Sequence, residues 1–256
     1  MRVYDEVMVP RLFEPWGKLL LDQLELASGE AVLDVACGPG SVARSAAERV
    51  GPGGRVTGCD FSPAMLALAE AKPPVSGGAA IEYLEGPADR LDVEDAVFDV
   101  VTCQQGLQFF PDRPAALAEM HRALRRGGRL GVAVWTEIAG SPAFCALANG
   151  IEEVAGAKLA NRFRGGPFGF PDGERLGALL DEAGFQAVRV SKHVLPVTFE
   201  DGAPQVVATL AATPLAAEMD QLSAEQQQRL VDSVARVLGD RPIESEFESN
   251  IALARR

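Results

Sequence analysis

Two aspartates bracket the stretch of this sequence best suited to hold a small charged ligand. Asp34 stands inside the apolar run Val32-Leu33-Asp34-Val35-Ala36, just before Cys37-Gly38-Pro39-Gly40, and Asp60 closes a second short run, Gly54 to Asp60. Glycine lets backbone lie against a ligand with no Cβ in the way, while a carboxylate draws positive charge and repels a pyrophosphate. A dinucleotide site calls for G-x-G-x-x-G, with the pyrophosphate on the following helix N-terminus. Here Ala43 stands in place of the third glycine, and Pro39 removes an amide donor from the turn. The pattern favours a ligand with ammonium and sulfonium charges; a tight strand-to-helix turn without function is the alternative. Asp60 lies 20 residues beyond Gly40, the spacing at which a carboxylate ending a second strand accepts hydrogen bonds from ribose hydroxyls.

These residues need a frame that brings strand ends together. Val32 to Ala36 reads as a buried parallel strand, and Ser41 to Val50, with Ala43, Ala46 and Ala47 at helical spacing, as the crossover helix behind it. After Asp60, Ser62 is placed as an N-cap and Pro63 at the first helical position. A third strand is expected over Ile81 to Glu85, followed by Gly86-Pro87-Ala88-Asp89, and a fourth over Phe98 to Cys103, followed by Gln104 to Asp112. Pro114 to Arg125 is expected to be helical and closed at Arg126-Gly127-Gly128-Arg129 by a left-handed glycine cap, ahead of a fifth strand, Leu130 to Trp135. Arg122, Arg125, Arg126 and Arg129 then suit the negative end of that helix.

The stretch Asp34 to Gly40 resembles motif I of class I S-adenosylmethionine-dependent methyltransferases. The acid at Asp60, the turn at Ala88 and the loop after the fourth strand follow in the order that family uses, so Val32 to Trp135 together resemble its ubiquinone-biosynthesis-like small-molecule group. The resemblance implies a Rossmann-like, doubly wound α/β fold: a seven-stranded, mostly parallel sheet with an antiparallel edge hairpin. It also implies that S-adenosylmethionine is held by Asp34, Ala36, Gly38, Gly40, Asp60, Phe61, Met65, Ala88, Asp89, Gln104 and Gln105. Phe61 or Met65 would contact the adenine face, core packing being an equal reading for Met65. Relatives carry G-D-A-E at the third turn. With Pro87 in the Asp position, the Ala88 amide is left for a ring nitrogen and Asp89 for the adenine amine, unless Asp89 is only a solvated turn acid. Relatives also carry Pro where Arg126 stands.

The rest of the chain is read around that core. Residues 1–30 form an N-terminal helical part, in which Tyr4 to Leu26 offers an apolar face (Leu12, Trp16, Leu19, Leu20, Leu24) and Pro10 and Pro15 split it into two short helices. It is either a lid, with Tyr4, Arg11 and Phe13 over the site, or a cover for the sheet. Residues 31–137 are the S-adenosylmethionine-binding core. Residues 138–256 complete the sheet: Asp172 to Ala183 is a helix ended by Gly184, and Val188 to Val197 pairs with Phe247 to Ala254. Two insertions, about 138–170 (with a Gly- and Phe-rich end, Asn161 to Phe170) and 204–240 (helical from Pro204 to Leu238), are placed over the strand ends as a substrate cap. Tyr4, Arg11, Gln108, Phe109, Trp135, Phe168 and Phe170 are the residues expected to bind the acceptor; the aromatic ones, with Phe110 and Phe163, suggest that it is apolar or aromatic, ordinary core packing being the alternative reading.

Composition narrows the function classes. A chain that is 47% hydrophobic and 23% charged is an ordinary globular one. Its net charge of −12 argues against a nucleic-acid substrate. No run reaches the length of a membrane span, and acids interrupt the first residues where a signal peptide would be apolar, so a cytoplasmic location is expected. The four cysteines form no C-x-x-C pair and no metal site; Cys37, Cys59 and Cys103 near strand ends are small buried hydrophobes or lie beneath the cofactor. Bases are scarce. His121 shares a helical face with Leu117 and Leu124 and reads as structural, leaving Glu137 and His193 as weak catalytic candidates. The expected reaction is in-line methyl transfer to a small acceptor, governed by orientation and desolvation. The alternatives are a catalytically silent S-adenosylmethionine-binding protein and a nicotinamide-dependent oxidoreductase. The partners expected are a small-molecule acceptor and a second copy of the chain.

Overall fold

The computed structural model describes residues 4–213, 215–239 and 241–256, with the side chains of residues 4–7 and 212 outside that description. The chain's first three residues, and Pro214 and Asp240 of the second insertion, therefore lie outside the described residues.

Chain order alternates strands and helices: α1 (Glu14–Leu24), β1 (Ala31–Val35), α2 (Ser41–Val50), β2 (Arg55–Asp60), α3 (Pro63–Glu70), β3 (Ala80–Glu85), β4 (Phe98–Gln104), α4 (Arg113–Ala123) and β5 (Leu124–Trp135). Then come α5 (Pro142–Ala155), α6 (Ala157–Gly165), α7 (Gly173–Glu182), β6 (Gln186–Phe199), α8 (Ala203–Ala208), α9 (Ala216–Met219), α10 (Ala224–Leu238) and β7 (Ile243–Arg255). The seven strands form one sheet in the order β3-β2-β1-β4-β5-β7-β6, mostly parallel with an antiparallel edge hairpin. Every residue of β1 is buried, as are six of the seven in β4. That explains their continuous apolar runs, since a parallel strand covered on both faces has no polar side. β1 pairs with β2 through Val32↔Val56 and with β4 through Val32↔Val100. The strand order therefore reverses beside β1, which opens a crevice at the carboxyl ends of β1 and β4.

Two compact units are distinguishable, and neither is a single stretch of chain. One comprises Phe13–Val134, Asp172–Lys192 and Asn250–Arg256, and holds β1 to β4 with their helices. The other comprises Trp135–Pro171, His193–Ser249 and the described part of Met1–Leu12. Its core is aromatic: Phe144 stands edge-on to Phe163, Phe168 and Phe247, and Phe247 to Trp135, at 4.7 to 6.0 Å between ring centres.

Several boundaries differ from the sequence reading. The N-terminal segment does not break at Pro10: Tyr4–Phe13 is a π-helix that leads directly into α1, and Pro15 falls in the first turn of α1, where its missing amide costs nothing. α4 stops at Ala123, and no glycine caps it. The carbonyls of Arg122 and Ala123 already accept hydrogen bonds from the Ala96 and Val97 amides, and the fully buried Leu124 starts β5 opposite Phe98. Gly127, at φ 80°, instead turns the chain inside the irregular first half of β5. Ser62 occupies the N-cap position of α3 but its hydroxyl caps nothing. Among the described residues of 204–238 there are three helices and a short 3₁₀ turn rather than one helix, and α6 takes in the first half of the Gly- and Phe-rich stretch.

Candidate cofactor site

The turn after β1 is built from left-handed backbone. Ala36, Gly38 and Gly40 have φ of 58°, 55° and 80°. Only the two glycines adopt this without strain, and a non-glycine residue so held marks a site the surroundings over-determine. Gln105, after β4, is held likewise at φ 54°. The two loops touch: a Cβ on Gly106 would lie 2.6 Å from that of Ala36, so Gly106 permits the approach. A Cβ on Gly38, by contrast, would meet nothing within 4 Å, which leaves that residue open to a ligand.

Asp60 ties this turn to the end of β2. Its Oδ2 accepts from the Gly38 amide at 2.8 Å and its Oδ1 from the Ser62 amide at 2.9 Å. Each oxygen keeps a lone pair, enough for two vicinal ribose hydroxyls. Burial raises the pKa of Asp60, with the two amides opposing. The Asp60 carbonyl also accepts from the Gly86 amide at 3.0 Å, which brings the turn before Ala88 to the same strand end.

Asp34 is less exposed than its role as a charge attractor suggested. It is buried within β1, where Oδ1 accepts from the Thr102 hydroxyl at 2.8 Å and Oδ2 has no partner of hydrogen-bond geometry. Burial pushes its pKa up to about 7, against the pull of the Thr102 hydroxyl and the Ala43 amide, and Asp60 adds to the rise. Gln104 and Gln108 each bring a buried carbonyl oxygen without a partner. The two acceptor oxygens of Asp60 and the open backbone at Gly38 fit the ribose hydroxyls of S-adenosylmethionine.

Other expected residues fall unevenly. Gln104 is half-buried and donates to the Phe13 carbonyl at 2.9 Å, while the buried Gln105 accepts from Gln108 at 3.3 Å. Phe61 is 76% exposed beside Asp60; Met65 and Ala88 are half-buried, and Asp89 lies exposed on its turn. Cys37, Cys59 and Cys103 are free and buried, their thiols pushed up by burial, to about 11 for Cys59 and about 12 for Cys103. Thr102, Gly106 and Tyr83 were missed by sequence reasoning. Thr102 alone left a trace, as a hydroxyl in an otherwise apolar strand, and it is the register partner of Asp34.

The acceptor candidates fall in different settings. Trp135 and Phe168 are buried in the aromatic core already described. Phe163 is in that core too. Phe109 is half exposed, Gln108 is buried, and Arg11 and Phe170 are half-buried. The Tyr4 side chain lies outside the described residues. Glu137 is exposed at the start of a 3₁₀ turn, and His193 is half-buried on β6. His121 stands edge-on to Phe185 at 5.0 Å, its pKa lowered chiefly by burial, as a packing residue would be.

Residues 2–199, well over half of the chain, match the ubiE/COQ5 methyltransferase family. The chain belongs to this family. It is an S-adenosylmethionine-dependent methyltransferase. The methyltransferase is similar to a demethylmenaquinone methyltransferase of Lactococcus lactis, with 34% identity over 188 residues that span 70% of this chain and 74% of the relative. Among solved structures it shares its fold with phosphoethanolamine N-methyltransferase 2 of Haemonchus contortus, at a TM-score of 0.61 and 20% identity over 94% of this chain and 52% of that one. It also shares its fold with the [4+2]-cyclase SpnF, at a TM-score of 0.57 and 21% identity over 95% and 81%. Nothing about substrate follows from these two, since one fold hosts many reactions. Among the described residues, no helix is long and apolar enough to cross a membrane.

Proposed function

We propose that this methyltransferase methylates a small quinone-like aromatic acceptor. The observation that carries the reading is the match to demethylmenaquinone methyltransferases over most of both chains. When bound, S-adenosylmethionine supplies an electrophilic methyl carbon beside a positive sulfur. The chain's own part is to hold and orient. Asp60 takes the ribose hydroxyls, Gly38 lets the backbone approach, and Phe61 and Met65 face the adenine, with the Ala88 amide and Asp89 at its edge. Ala36, Gly40, Gln104 and Gln105 shape the two loops around the methionine part, under the field of Asp34. Tyr4, Arg11, Gln108, Phe109, Trp135, Phe168 and Phe170 are the acceptor contacts of this reading. An aromatic carbon activated by ring oxygens needs no strong base, which agrees with the exposed setting of Glu137 and the half-exposed setting of His193.

The assignment of residues 1–30 as a lid and of 138–170 and 204–240 as an acceptor cap belongs to this proposal. Protection of those segments from proteolysis by cofactor and acceptor together supports it, and unchanged cleavage refutes it. A cytoplasmic location and self-association as a homodimer complete the reading.

The decisive experiment is turnover. With purified protein and labelled S-adenosylmethionine, methyl transfer is expected to a reduced naphthoquinone lacking a ring methyl, and not to amines or nucleic acid. Transfer to an amine alone would move the acceptor class. Calorimetric binding of S-adenosylmethionine without transfer to any acceptor would favour the silent cofactor-binding protein.

A further inference from the structure

We propose that Tyr83 is a positioning residue for the cofactor turn, and that the second glycine of the turn exists for this tyrosine rather than for the ligand. Tyr83 lies on β3 as the register partner of Gly58 on β2. Its ring crosses Gly58: a Cβ there would stand 2.9 and 3.0 Å from Tyr83 Cδ1 and Cε1. The same ring reaches the turn after β1. A Cβ on Gly40 would overlap the Tyr83 hydroxyl oxygen and lie 3.2 Å from Cζ and 3.3 Å from the Ala69 Cβ. Two glycines on different elements thus make room for one side chain.

Gly38 and Gly40 have separate duties as a result. Gly38 opens onto free space and hands its amide to Asp60. Gly40 closes onto β3. The Tyr83 hydroxyl is buried with no hydrogen-bond partner, so its hold on the turn is one of shape. Burial pushes its pKa up to about 12, so the wedge stays neutral at ordinary pH. Because the Gly40 amide donates back to the Cys37 carbonyl at 3.0 Å, a wedge under Gly40 fixes the arch that carries Gly38. Ligand affinity should then depend on the fit between residues 40 and 83.

A double-mutant cycle tests this, with S-adenosylhomocysteine as the calorimetric probe. Gly40→Ala strains a left-handed residue in any background, and that cost cancels in the cycle. The clash does not cancel, since Tyr83→Phe removes the overlapping oxygen and leaves Cζ as the nearest ring atom. Gly40→Ala is expected to weaken binding by more than about tenfold in wild type and by less than about threefold in the Tyr83→Phe background. The same coupling should appear in the thermal midpoint of the ligand-free protein, which separates it from any error about the ligand. Should Gly40→Ala fail to fold, Gly58→Ala gives the parallel comparison in wild type and in Tyr83→Val. Equal losses in both backgrounds would overturn the proposal.

Discussion

Asp60 holds the turn after β1 with both carboxylate oxygens, and the proposed function gives the same two oxygens to the ribose hydroxyls. Replacing it by alanine strands the Gly38 and Ser62 amides as well as removing the partner of the ribose. Asp60→Ala is expected to lower stability by about 1–3 kcal/mol and cofactor affinity by about a hundredfold, read by denaturant titration and calorimetry. Asp34 makes a prediction of a different kind. Its ordinary pKa is 3.8 and burial carries it to about 7 in the folded protein. A buried carboxyl whose pKa is raised favours folding while protonated, so its stabilisation is full below about pH 4. It is lost as pH rises towards 7 and changes no further above that; a gap of this size amounts to ~4 kcal/mol. Asp34→Asn should flatten the decline, so denaturation midpoints at pH 5 and pH 8 will differ less in the variant than in wild type. An equal decline in both would disprove the assignment. Both acids, and Gly38 and Gly40, were legible in sequence because type and spacing name them. The hydroxyl that meets Asp34 was not, since Thr102 is 68 residues away.

Elements begin and end for local reasons when side chains cap them and for distant ones when they do not. Asp172 accepts from the Glu174 and Arg175 amides, so the start of α7 could be read directly. α10 opens with a capping box, Ser223 and Gln226 bonding each other's backbone amides at 3.2 and 3.0 Å. Ser223→Ala should therefore cost about 1 kcal/mol in a denaturant titration, whereas Ser62→Ala, at an N-cap that makes no such bond, should cost little. The end of α4 obeyed no local signal. Its last carbonyls are taken by Ala96 and Val97, and a nearby glycine pair drew the sequence reading two residues too far.

At the level of the whole molecule, the centre of the sheet is held by β1 and β4, whose runs are buried on both faces, and the second compact unit by interlocking aromatic rings. Phe247 is fully buried and touches Phe144 and Trp135, so Phe247→Ala should cost about 3–5 kcal/mol on thermal or chemical unfolding, against under about 1.5 kcal/mol for the exposed Phe109→Leu. The sequence by itself determined the α/β class, the order of strands and helices through β5, the glycine turn and the two acids. Each of these is set by a period, a turn preference or a charge within a few residues. Only the tertiary structure decided that Trp135 and Phe168 are buried among aromatic rings, that Asp34 is nearly sealed, and that Gly40 lies against Tyr83. Those facts depend on which atoms from distant strands share one volume, and no local pattern carries that information.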